Sequence, residues 1–256
     1  MKSLEGDLRA IRESGRKALV PYFVAGLTKD WVRYVETAVH AGADAVEIGI
    51  PFSDPMMDGV VIQEGARRAL LEGTTFDSVC DDLASIDVSA PLIAMTYFNI
   101  FHHYGLERAA GRLQSCAIRG AIIPDLALEE AEEWRHACDD HDVATIFLAA
   151  PSTSAARAGE LALASEGFAY ASARMAVTGR AADAGRAHQV VERLRAASDL
   201  PVYVGIGIST PEQARDAVGF SDGAIVGSAL VKLILEGASV HDVHLAVEGF
   251  RSAIDL

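Results

Sequence analysis

Glu47 and Asp58 are the residues of this chain whose types and spacing most invite chemistry. Glu47 stands among Val46, Ile48 and Ile50, and Asp58 follows eleven residues later, in the stretch PFSDPMMDG. A carboxylate within an apolar strand costs free energy unless it is paired or put to use. A buried pair between Glu47 and an arginine is one way to meet that cost, and Asp58 before Gly59 suits a plain turn. Together the two allow another reading. Carboxylates that reach one cavity from a strand end and from its loop differ in solvation, and the drier one keeps its proton longer. One can then act as an acid while the other accepts a proton, as cleavage of a carbon–carbon bond requires.

Three glycine clusters lie later in the chain: Thr178-Gly179, Gly205-Ile206-Gly207 and Gly227-Ser228. Glycine lets the backbone approach an anion, and the free N–H groups at a helix start supply donors. The clusters therefore predict a phosphorylated ligand. Other polar groups suggest less. His102 and His103 are adjacent rather than four apart, which does not suit a shared metal on a helix, so no metal site is expected. Lys232, Asp139-Asp140 and the acidic stretch 129–133 read as solvated helix faces, and Ser53 as a turn residue. No GxSxG nucleophile motif occurs.

These residues need elements to hold them. Short apolar runs recur at 18–24, 45–50, 91–95, 120–123, 143–148, 168–171, 201–204 and 223–226, each bounded by Gly, Pro, Asp or Ser. Such runs suit parallel strands covered on both faces. Between them apolar residues fall at helical spacing, as in Trp31, Tyr34, Val35 and Ala38, or Val190, Val191 and Leu194. Thr28 is placed to cap the first of these helices, Pro211 to open a later one, and residues 239–254 to form the last. Eight strand–helix units predict an α/β fold, a single (β/α)8 TIM barrel over 1–256 with an extra N-terminal helix, residues 2–15, under its floor. An open doubly wound sheet would call for a glycine fingerprint after the first strand, where this chain has AGLTKD. In a barrel the glycine clusters follow strands six, seven and eight, where phosphate recurs, and Glu47 and Asp58 lie at the active rim.

Composition narrows the ligand. Lys and Arg total 22 against 36 for Asp and Glu, a formal net charge of −14. That balance argues against nucleic acid or an anionic membrane as partner, so any phosphate site must be local. Cys80, Cys116 and Cys138 are odd in number and widely spaced, which fits reduced core cysteines. The charged N-terminal stretch is unlike a signal peptide, and no apolar run is long enough to span a bilayer. A cytoplasmic location is expected.

Around VEIGIPFSDPMMDG the sequence resembles the tryptophan synthase alpha-subunit family, and the likeness runs through nearly the whole chain. It includes VPYFVAG, MTYFN, AIIPDLALEE, IFLAAP, GFAYASARMAVTG, VGIGISTPEQA and DGAIVGSALVK. The resemblance implies a barrel that splits indole-3-glycerol phosphate into indole and glyceraldehyde 3-phosphate by a retro-aldol reaction, with no cofactor of its own. It implies that Glu47 handles the protons at indole C3 and the side-chain hydroxyl, that Asp58 meets the indole N–H, and that Tyr170 lies in the pocket. Tyr22, Ile62, Met95 and Ile206 would wall the indole. Thr178, Gly179, Gly205, Gly207, Gly227 and Ser228 would bind the rest of the substrate, the glycines and Ser228 as its phosphate cradle. The implied partner is a beta subunit carrying pyridoxal phosphate.

The sequence departs from the family pattern on the partner-facing side. Met56-Met57 and Val60 replace smaller residues and a proline in the loop 53–60, and Ile100 follows Asn99. Ala176 stands where the family has glycine, and Ile206 where Phe is frequent. Two alternatives to a partnered subunit follow: a stand-alone lyase releasing free indole for a secondary pathway, and a non-catalytic regulatory subunit that binds the phosphorylated ligand.

Overall fold

The computed structural model describes residues 3–172, 180–205 and 207–255, without the side chains of 180–184. Each apolar run becomes a strand: β1 (Ala18–Val24), β2 (Val46–Gly49), β3 (Leu92–Met95), β4 (Ile118–Ile122), β5 (Ala144–Ile146), β6 (Leu148–Ala149), β7 (Ala169–Ser172), β8 (Val202–Gly205) and β9 (Gly223–Val226). All pairings are parallel, in the order β5-β4-β3-β2-β1-β9-β8-β7-β6. The two ends of that series, β5 and β6, are consecutive pieces of one strand parted at Phe147, so the sheet closes on itself. This is the expected eight-stranded barrel with its fifth strand divided.

Side chains cause the division. Phe147 N–H donates to Ser165 Oγ at 3.1 Å, and Thr145 N–H and Oγ1 donate to Glu166 Oε2 at 3.0 and 3.2 Å. Beyond that stitch the strand pairs with β7 at Leu148↔Tyr170 and Ala149↔Ala171.

The helices are α1 (Ser3–Glu13), α2 (Trp31–His40), α3 (Val60–Leu71), α4 (Phe76–Leu83), α5 (Phe98–Tyr104), α6 (Leu106–Ser115), α7 (Glu132–Asp140), α8 (Ala155–Ala164), α9 (Arg180–Arg195), α10 (Pro211–Val218), α11 (Ser228–Leu235) and α12 (Val240–Ile254). The extra N-terminal helix, α1, sends Leu4 and Leu8 into the cluster formed by Val20, Ile93, Ile122, Phe168 and Tyr203. Leu4 reaches so close to Gly120 that a side chain there would lie 2.7 Å from Leu4 Cδ2. The larger core lies between the strands and the outer helices, where Trp134 of α7 stacks on Phe101 of α5 at 4.8 Å.

Some helices open on a side-chain cap and others do not. Thr210 caps α10 ahead of Pro211, and Ser239 and Asp242 form a capping box on α12. Thr28 does not cap α2. That helix begins at Trp31 after Asp30, and the buried Thr28 hydroxyl has no partner among the described residues. Cys80, Cys116 and Cys138 are buried thiols, not joined in disulfides. Among the described residues, no helix is long and apolar enough to cross a membrane.

Candidate active site

Glu47 sits mid-strand in β2, in register with Tyr22 on β1 and Ile93 on β3, and is 1% exposed. Among the described residues no arginine reaches it, and Oε2 has no hydrogen-bond partner. The buried arginine pair is therefore excluded for these residues. Loss of hydration, reinforced by the nearby Asp58 charge, pushes the Glu47 carboxyl up to about 8. At neutral pH it is a carboxylic acid with a proton to give.

Asp58 is half-buried in the loop between β2 and α3. Its Oδ2 accepts a hydrogen bond from the Tyr97 hydroxyl at 3.2 Å, while Gln63 Nε2 donates to its backbone oxygen at 3.0 Å. The Tyr97 hydroxyl also accepts the Met57 N–H at 2.9 Å. Tyr97 lies within the motif MTYFN, yet nothing in its residue type or spacing marked it as functional. The only available signal was its place just past the end of β3.

Two further tyrosines stand over bare glycine backbone. A side chain at Gly49 would lie 2.0 Å from the Tyr22 hydroxyl, and one at Gly205 would lie 1.9 Å from the Tyr170 hydroxyl. Both glycines thus make room for a phenol. Burial, followed by the charges of Asp58 and Glu47, raises Tyr22 well above the ordinary phenol value. Tyr170 is raised in the same way by burial, then by Glu47 and Asp58. Both hydroxyls therefore stay protonated. Tyr22, Asp58, Ile62 and Met95 line one cleft, whose mouth is completed by Phe52 and Tyr97.

The glycine positions approach the same end of the barrel. Gly227 follows β9 and precedes Ser228, the first residue of α11, whose opening amides have no intrahelical acceptor. A side chain at Gly227 would touch the Tyr22 ring at 3.4 Å, so this turn adjoins the cleft wall. Gly207 follows β8 with φ of +32°. Thr178, Gly179, Ile206 and Ala176 lie outside the described residues. The structure thus brings together Glu47, Asp58, Tyr22, Tyr170, Ile62 and Met95, with Gly205 and Gly227 packed against them. A buried carboxylic acid, with a hydrogen-bonded carboxylate near it on the wall of a cleft that mixes tyrosines with Ile62 and Met95, suits acid–base work on a bound ligand.

A family model described as the tryptophan synthase alpha chain matches residues 8–251. The chain is 40% identical to the tryptophan synthase alpha chain of Streptomyces coelicolor, over 99% of this chain and 94% of that one. It is 39% identical to that of Methanosarcina mazei, over 91% and 86%. Among solved structures, tryptophan synthase of Mycobacterium tuberculosis superposes with a TM-score of 0.92 at 33% identity, covering 100% of this chain and 99% of that one. The alpha subunit from Legionella pneumophila superposes at 0.90 with 31% identity, covering 100% and 99%.

Proposed function

The chain belongs to the tryptophan synthase alpha chain family and carries its lyase activity in tryptophan biosynthesis, and from that premise we propose that Glu47 and Asp58 are its acid–base pair. The observation that supports the assignment is the buried Glu47 carboxyl, whose Oε2 has no hydrogen-bond partner among the described residues and which burial and the nearby Asp58 charge push up to about 8.

The reaction cleaves indole-3-glycerol phosphate to indole and glyceraldehyde 3-phosphate. Protonated Glu47 delivers its proton to indole C3, and Asp58 accepts the N–H hydrogen bond that strengthens as the ring becomes cationic. The Glu47 carboxylate then takes the proton of the adjacent side-chain hydroxyl. The C–C bond breaks, its electron pair returns to the ring, and the aldehyde forms. The proton count balances, and Glu47 ends the cycle as it began, protonated.

Tyr22, Ile62, Met95 and Ile206 wall the indole, with Tyr170 beside Glu47. Thr178, Gly179, Gly205, Gly207, Gly227 and Ser228 hold the glycerol phosphate end. One barrel domain over 1–256 supports the whole arrangement, in the cytoplasm. The family's alpha chain needs no cofactor itself. A beta subunit is the partner, and we assign pyridoxal phosphate to that subunit and its docking face to loop 53–60 with Ile100. Neither a stand-alone lyase nor a non-catalytic binding subunit is favoured by the family membership.

Indole release from indole-3-glycerol phosphate tests the assignment. Glu47→Gln and Asp58→Asn should each lower turnover by about 10²- to 10⁴-fold while still binding the substrate. Near-normal turnover in a folded Glu47→Gln variant would remove Glu47 from the mechanism.

A further inference from the structure

We propose that Tyr97 is a positioning residue for the cleavage, one that aims the Asp58 carboxylate at the indole N–H. The inference rests on the role assigned to Asp58 above. Asp58 rides on a loop whose Ser53, Asp54, Met56 and Met57 are all exposed. An N–H acceptor must present a lone pair within a narrow range of angles, so the orientation of its carboxylate matters.

Tyr97 restrains that carboxylate from beyond the end of β3. It lies past the end of β3 as the residue that opens α5, and the next amide, Phe98 N–H, is fixed by Asp125 Oδ1 at 2.9 Å. Its side chain is 4% exposed and stacks on Phe52 at 5.1 Å with 23° between the ring planes. Phe52 belongs to the loop that carries Asp58, so the ring grips the loop near its start and the hydroxyl grips it near its end. A phenol has one proton. Because the Met57 N–H at 2.9 Å takes a lone pair on the Tyr97 oxygen, that proton is directed to Asp58 Oδ2 at 3.2 Å. Burial, with Asp58 itself the next cause, raises the Tyr97 phenol and keeps it a donor throughout the working pH range.

The test compares Tyr97→Phe with the parent in three measurements. In steady-state cleavage the variant should lose roughly 10- to 100-fold in kcat/KM, mainly in kcat, the scale of one hydrogen bond to a charged group. In binding, indole-3-propanol phosphate should bind more weakly while glyceraldehyde 3-phosphate binds as before, because only the former has an N–H to meet Asp58. In a double-mutant cycle, Tyr97→Phe should cost nothing further in an Asp58→Asn background.

Equal weakening of both ligands would mean that Tyr97 supports the rim as a whole, and would overturn the proposal. So would parent-like turnover in a folded Tyr97→Phe, or a full additional loss in the Asp58→Asn background. If Asp58→Asn itself turns over normally, the assignment of Asp58 fails first. If Asp58→Asn is inactive and Tyr97→Phe is normal, only the present inference fails.

Discussion

Glu47 holds a proton that an ordinary carboxyl would have lost, and the cost of that proton is visible in stability. The folded-state value of about 8 lies above the ordinary 4.5, so between these pH values the folded chain binds a proton that the unfolded chain releases. Stability from this group is full below the unfolded value and falls as pH rises through the folded one. Glu47→Gln removes the titration. Its stability relative to the parent should therefore improve between pH 5 and pH 8, by an amount on the order of 2 to 5 kcal/mol, in urea unfolding at the two pH values. Parallel profiles would mean that Glu47 is already ionised in the fold. Glu47 was legible in the sequence because a carboxylate interrupts an apolar run. Tyr97 was not, since its bond to Asp58 spans 39 residues and depends on where two loops meet. Gly205 was read for its openness to an anion, whereas its bare backbone also seats the Tyr170 ring.

At the scale of elements, parallel strands are easy to find because both faces are covered and the runs are continuously apolar. All seven residues of β1 are buried, and its bounds coincide with the run at 18–24. The division of the fifth strand was hidden, because Ser165 and Glu166, which take its amides, lie in the connection before β7. Thr28 failed as a cap for a related reason: the chain enters α2 two residues later than the threonine suggests. Tertiary partners also fix the last helix. Arg251 of α12 is buried, with Nη1 on Asp44 Oδ2 at 2.7 Å and Nη2 on the Lys17 carbonyl at 3.0 Å. Asp44 in turn accepts the Leu19 N–H at 2.9 Å, so one ion pair joins α12 to the first strand. Arg251→Ala leaves Asp44 only the half-exposed Arg16, whose Nη2 lies 3.2 Å from Asp44 Oδ1, and should cost about 1 to 3 kcal/mol, measured by urea unfolding, with the active rim untouched at the other end of β1. A loss well below about 1 kcal/mol would show that Arg16 alone carries the carboxylate.

The molecule presents an apolar edge beside the cleft proposed as its active site. Met56 is 82% and Val60 79% exposed, in a chain whose net charge is −14. Large apolar side chains on such a surface suit coverage by a partner. With a tryptophan synthase beta subunit, indole release should rise by one to two orders of magnitude, roughly 1.4 to 2.7 kcal/mol in barrier. Met56→Lys should reduce that rise and leave the rate of the isolated chain unchanged; an undiminished rise would place the interface elsewhere. Closure of the barrel has a consequence of its own. Between β6 and β7 the ring is joined by two residue pairs, and amides of the divided strand turn to the side chains of Ser165 and Glu166 instead of a neighbouring backbone. Amides at this seam, Thr145, Phe147 and Tyr170, should exchange with deuterated solvent sooner than those of β1, by local opening rather than global unfolding. Tyr170 lies on that seam, so the first solvent to enter a breathing barrel arrives beside the proton of Glu47.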